Sequence, residues 1–154
     1  MAFVEAQGTT FFWSTAAAST TLSTVAMAIV HNVVAINGPS GSAGKIDVSN
    51  LGSTAKQFLV GIRDEGDISL DVIYDPSTAT NGGQKHMFDD RGTRTKRTWG
   101  FKLADASSNF VKGVGYCTGF ALTGAVDDSV KATITIAITG AVYVSTGTTI
   151  ADVG

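Results

Sequence analysis

The sequence predicts a mainly β domain, and three observations carry the prediction. First, 15 valines and 10 isoleucines stand against 6 leucines. β-branched side chains suit a pleated, half-buried surface, whereas leucine leads in helical bundles. Second, Ile134, Ile136 and Ile138 are opposed by Thr133, Thr135 and Thr139, the period-two signature of a strand with one covered face. Third, only 16% of residues are charged, against about 25% in an ordinary domain. Small residues fill the difference, with 20 Thr, 19 Ala, 18 Gly and 13 Ser. A chain of 154 residues buries about two-thirds of its unfolded surface, enough for one core, so residues 1–154 are expected to form one domain.

The elements follow in order. Residues 1–24 are weakly patterned. Phe11, Phe12 and Trp13 form an aromatic knot in a Ser/Thr/Ala tract, which suggests an arm over 1–12 or an edge strand tacked down at one point. From Val25 the alternation sharpens, with Val25, Met27, Ile29, His31 and Val33 on one face of a single strand reaching Ile36. Residues 37–44, Asn-Gly-Pro-Ser-Gly-Ser-Ala-Gly, predict a flexible loop. A short strand over Lys45–Ser49 leads to Ser53 and Thr54, which predict the N-cap of a short helix through Ala55–Val60. Ile68, Leu70, Val72 and Tyr74 alternate as a strand that Asp75-Pro76 ends. A helix is expected over 82–90, anchored by Met87 and Phe88. Thr98–Leu103 turns Trp99, Phe101 and Leu103 inward. Residues 109–123 read as a long strand in which Gly113, Gly115 and Gly119 permit a bend or bulge. After the Asp127-Asp128-Ser129 turn comes a strand from Val130 to Val144. The tail 145–154 reads as a terminal arm.

Catalytic and cofactor signatures fail one by one, and neither an enzyme nor a bound cofactor or metal is expected. Gly38 to Lys45 imitates a phosphate-binding loop, but Pro39 stands where the first glycine belongs and Ile46 where the hydroxyl belongs. Gly113-Val114-Gly115 lacks the third glycine of a dinucleotide fingerprint and sits in a strand. His31 falls on an apolar strand face, where a packed or interface histidine is expected. His86 with Asp89 and Asp90 supplies too few ligands on one turn of helix for a metal. Cys117 has no partner signature for a nucleophile and reads as a buried thiol. The carboxylate pairs 64–65, 89–90 and 127–128 each fall at an expected turn. The net charge of −2 offers no general attraction for nucleic acid or anionic lipid. The longest apolar run, Val25–Val30, is far short of the ~20 residues of a membrane span. The N-terminus, with Glu5 and no basic stretch, lacks the form of a secretory signal, so synthesis and folding in a reducing cytoplasm are expected.

Two charge clusters remain. Arg91, Arg94, Lys96 and Arg97 form the dense basic one; Asp64, Glu65, Asp67 and Asp71 form the acidic one. They read either as ordinary polar edges or as complementary patches that pair copies head to tail, a heterologous contact that closes a ring or grows a filament.

Four segments taken in order resemble the major tail tube proteins of long, non-contractile bacteriophage tails. These are Lys45–Leu51 (Lys-Ile-Asp-Val-Ser-Asn-Leu), Phe58–Leu70 with Gly61-Ile62-Arg63-Asp64, then Tyr74-Asp75-Pro76, and Gly119 through Val126-Asp127-Asp128 to Thr139-Gly140. The resemblance covers roughly residues 33–144. It implies a β-sandwich or half-barrel protomer with one short helix. Six protomers would form a ring, and stacked rings a tube for the genome. It further implies contacts between rings by a long loop and the termini. By position these fall to Gly38, Ser40, Gly41, Ser42, Gly44 and Lys45, and to the arms 1–12 and 145–154. Tape measure, tail terminator and distal tail or baseplate proteins are the implied partners, assembly in the host bacterial cytoplasm and residence in the virion tail the implied location, with no membrane involved. A conduit for DNA must not hold it, so the lumen is expected to be lined by Asp67, Ser69 and Asp71 or by the Thr133, Thr135 and Thr139 face, with the basic cluster at ring contacts or outside. The rival is an immunoglobulin-like or carbohydrate-binding β-sandwich on a virion or cell surface, which needs an exposed aromatic platform. Trp13 is its candidate, since Trp99 sits in an alternating apolar set.

Overall fold

A computed structural model describes residues 7–14, 27–75, 82–104 and 109–146. In chain order the elements are β1 (Thr10–Ser14), β2 (Met27–Val30), β3 (Val33–Asn37), β4 (Ser42–Asp47), β5 (Phe58–Asp64), β6 (Asp67–Ile73), α1 (Gly82–Thr93), β7 (Arg97–Lys102), β8 (Asn109–Thr123) and β9 (Lys131–Thr146). Among the described residues seven strands form one antiparallel sheet in the order β2-β1-β7-β8-β9-β6-β3, and β4 pairs only with β5. The mainly β class with one helix is therefore as expected.

Alternation becomes a core because register keeps like with like. Ile68 lies opposite Ile136, Leu70 opposite Ile134 and Val72 opposite Ala132, while Cys117 and Phe120 meet Ile136 and Ile134 from the other side. All of these are buried. The first half of β8, paired with β7, carries the aromatic end of the same core. Phe11, Trp13, Trp99 and Phe101 are all buried there, with Trp99 stacked between Phe11 and Phe101 at centroid distances of 6.5 and 6.3 Å. β8 is irregular between Lys112 and Val114 and between Cys117 and Gly119, bulges in the glycine-bearing stretch the sequence singled out. Gly113 also makes room for the indole, since a Cβ there would lie 2.8 Å from Trp99.

Helix α1 covers this face, packing on β8, β2 and β1. It buries Gly83, Gln84, Met87 and Asp90, a one-sided stripe at helical spacing. Gly83 permits the approach: a Cβ would stand 2.7 Å from the Ile29 carbonyl oxygen. Arg94 closes the helix in the left-handed region, at φ 58°, the usual geometry just past a helix C-terminus.

Several expectations are corrected. The single strand through 25–36 is two strands at opposite edges of the sheet. Asn32 adopts φ 60°, a conformation asparagine tolerates better than most residues, and the chain turns away there. His31 consequently lies exposed at the break rather than on an apolar face. The expected helix through Ala55–Val60 is instead the approach to β5. Ser53 Oγ accepts from the Asn50 amide at 3.1 Å, so it caps a turn, and the apolar run that follows pairs with β4. The loop ends earlier than expected, because Ser42–Gly44 already belong to β4. Gly41 and Gly66 lie against Glu65 and Ser40 respectively, so the loop is closely packed at the hairpin base. The N-terminal knot is an interior strand between β2 and β7, which removes residues 10–12 from the arm. β9 runs to Thr146; residues 1–6 and 147–154 of the two arms lie outside the described residues, as do 76–81.

Candidate functional site

Residues on the sheet face away from the core and helix gather most of the expected lumen set. Ser69 pairs with Thr135 and Asp71 with Thr133, and Thr133 Oγ1 donates to Asp71 Oδ1 at 3.1 Å. Asp67 lies opposite Ala137, and Thr139, paired with Val114, continues the same alternation along β9. The two alternatives offered by the sequence are thus one surface. Lys131 belongs to it too, opposite Ile73, and its Nζ is 3.3 Å from Asp128 Oδ2. The Ser129 amide and Lys131 hold the Asp128 carboxyl below its ordinary range.

The β4–β5 hairpin is the other notable surface. Its strands carry Ile46, Phe58, Leu59, Val60 and Ile62 exposed, with Val48 and Leu51 in the turn. Ile46 faces Leu59 on one side, while Lys45 and Val60 occupy the other. Lys45 Nζ lies 5.6 Å from the Phe58 ring centroid. Both faces are therefore apolar, and neither is covered by the seven-stranded sheet. Of the residues expected to bridge rings, Ser42, Gly44 and Lys45 lie in this hairpin, whereas Gly38, Ser40 and Gly41 lie at its base. Sequence reasoning missed the apolar residues, although the unbroken Phe58-Leu59-Val60 run was the available signal of a strand apolar on both faces.

The basic cluster divides. Arg91, Arg94 and Lys96 are exposed at the end of α1, with the Arg91 guanidinium 5.1 Å from the Phe88 ring. Arg97 is committed within the chain: its Nε and a terminal nitrogen donate to Asp90 at 3.0 and 2.9 Å, and Trp13 Nε1 donates to the same carboxylate at 2.8 Å. Asp90 is buried, not a solvated turn residue, and Asp89 pairs with Lys85 at 2.8 Å. The sketched set of His86, Asp89 and Asp90 is therefore dispersed. Among the described residues no metal-binding group of three or more His, Cys, Asp or Glu gathers, and no helix is long and apolar enough to cross a membrane. On the acidic side, Arg63 reaches Glu65 at 3.8 Å, and Asp64 receives the Gly66 amide at 3.0 Å. Cys117 is buried, and desolvation pushes its thiol up to about 11, the behaviour of an inert thiol. Trp13 has no exposure at all, so the binding-module reading loses its platform.

Residues 2–109 match the family model for phage tail tubes of the lambda-like type. The chain belongs to the lambda-like phage tail tube family. It is a structural protein of the virion tail. Among curated protein sequences none matches it. Solved tail tube structures share the fold at low identity. The SPP1 tail tube superposes with a TM-score of 0.67 at 9% identity, over 94% of this chain and 80% of the other. A chain of the native gene transfer agent virion gives 0.61 at 16% identity, over 77% and 88%. The tail of an empty gene transfer agent particle, refined with C6 symmetry, gives 0.56 at 18% identity, over 77% and 86%.

Proposed function

We propose that this tail tube protein assembles into sixfold rings that stack into the genome conduit. In that assembly the face bearing Asp67, Ser69, Asp71, Thr133, Thr135 and Thr139 lines the lumen. The helix and its basic end look outward, and the β4–β5 hairpin reaches a neighbouring ring. The observation that carries this is the hairpin. A paired ribbon with apolar side chains on both faces and no cover is costly in water, and such a patch marks an interaction surface. The C6 symmetry of the gene transfer agent tail supports sixfold rings. Acidic and hydroxyl groups on this wall, with Lys131 matched by Asp128, leave little to hold a passing phosphate backbone. Arg91, Arg94 and Lys96 remain available to meet Asp64 and Glu65 of another copy; Arg97 is not. Tape measure, terminator and distal tail proteins would occupy the lumen and the two ends, and assembly would take place in the host cytoplasm. Negative-stain microscopy of purified protein over a concentration series tests the proposal. Rings or hollow tubes are expected, and particles that stay monomeric at every concentration refute it.

A further inference from the structure

The chain carries a second exposed apolar surface, and it lies at the opposite end of the β3–β6–β9 sheet from the hairpin. The hairpin leaves between Asn37 and Asp67, the end of β3 and the start of β6. At the far end of β6, seven residues and roughly 20 Å away, Ile73 lies beside Lys131. There Leu122, Val126 and Val130 surround the β8–β9 turn, with Leu122 and Val130 half exposed and Val126 92% exposed. The Tyr74 amide donates to the Val130 carbonyl at 2.8 Å, which fixes the turn against the end of β6. Charge distinguishes the two surfaces as well. Between Val48 and Gln57 the hairpin turn carries one charged residue, Lys56, whereas residues 124–130 carry Asp127 and Asp128. Asp128 is matched by Lys131 within the chain, which leaves Asp127 to meet a cation from elsewhere.

We infer that the β8–β9 turn, with Ile73, Leu122, Val126 and Val130, is the seat for the β4–β5 hairpin of a second copy of this chain. The inference rests on the tube proposal and names the surface that receives the hairpin. Two unlike apolar surfaces at opposite ends of one chain form a heterologous contact that repeats without using itself up. Lys56 against Asp127 sets its orientation, since opposite charges at a rim favour one register over others.

A double variant, Leu51→Cys with Val126→Cys, tests this when treated with a short bismaleimide under assembly conditions; the buried Cys117 stays silent. A ladder of covalent trimers and longer chains is expected on denaturing gels. Each single variant should give no species beyond a dimer. Rings or tubes that form from the double variant without a ladder overturn the docking and leave the tube proposal standing. Wild-type protein that never assembles overturns both. Should the cysteine pair itself prevent assembly, Val126→Asp decides: loss of growth there, with growth kept in the control Tyr143→Asp, supports the seat, and growth kept in Val126→Asp overturns it.

Discussion

Two tryptophans in one core show how a single nitrogen separates similar residues. Trp13 and Trp99 are both fully buried and paired across β1 and β7. The Trp13 indole N–H donates to the buried Asp90 carboxylate, whereas the Trp99 N–H has no hydrogen-bond partner among the described residues. Replacing either by phenylalanine removes a similar volume, but only one replacement deletes a hydrogen bond to a charged group, worth about 2 kcal/mol. Trp13→Phe should therefore lower unfolding free energy by about 2 kcal/mol more than Trp99→Phe, read from urea denaturation of the two variants. The Trp13–Asp90–Arg97 contact was not legible in the sequence. Its members lie 77 and 7 residues apart, and Asp90 beside Asp89 looks like one more solvated pair. Trp99 was legible, because alternation through Thr98–Leu103 places it inward.

At the scale of elements, the hairpin separates folding from assembly. Ile46 and Leu59 face each other on β4 and β5 and are both more than half exposed, so they contribute little to the core. Ile46→Asp with Leu59→Asp should keep the fold, with stability changed by no more than about 1 kcal/mol, yet abolish tube growth. Circular dichroism melting and sedimentation velocity on the same samples check both halves. Strands β6, β8 and β9 were readable because each buries chiefly one face, and β7, buried on both faces from Thr98 to Phe101, because its aromatic residues alternate with small and polar ones. β5 was not, since a ribbon apolar on both faces has no period to read. The β2–β3 break was hidden for a related reason: apolar residues continue on both sides of Asn32, and only a backbone angle marks the corner.

Across the whole molecule, charge is sorted by face. The basic end of α1 stands on one side of the sheet, and the Asp67–Asp71 and Thr133–Thr135 surface on the other. If the latter lines a sixfold channel, each added cation is repeated in every ring. Particles carrying Thr133→Lys should build tails of normal length but eject their genome more slowly, with the delay relieved by raised salt as counterions compete for phosphate. Ejection followed by dye fluorescence across a salt series measures this, and salt-independent normal ejection places Thr133 elsewhere.

The uncovered hairpin also has a thermal consequence. Burial of apolar side chains is driven near room temperature chiefly by the entropy of released water, and it weakens on cooling. A polymer held together by Ile46, Leu51, Phe58, Leu59 and Ile62 should therefore behave unlike one held by ion pairs. Its critical concentration should rise as the sample is chilled and fall in sulfate, so that tubes shorten on ice and regrow on warming, which light scattering through a temperature cycle would record.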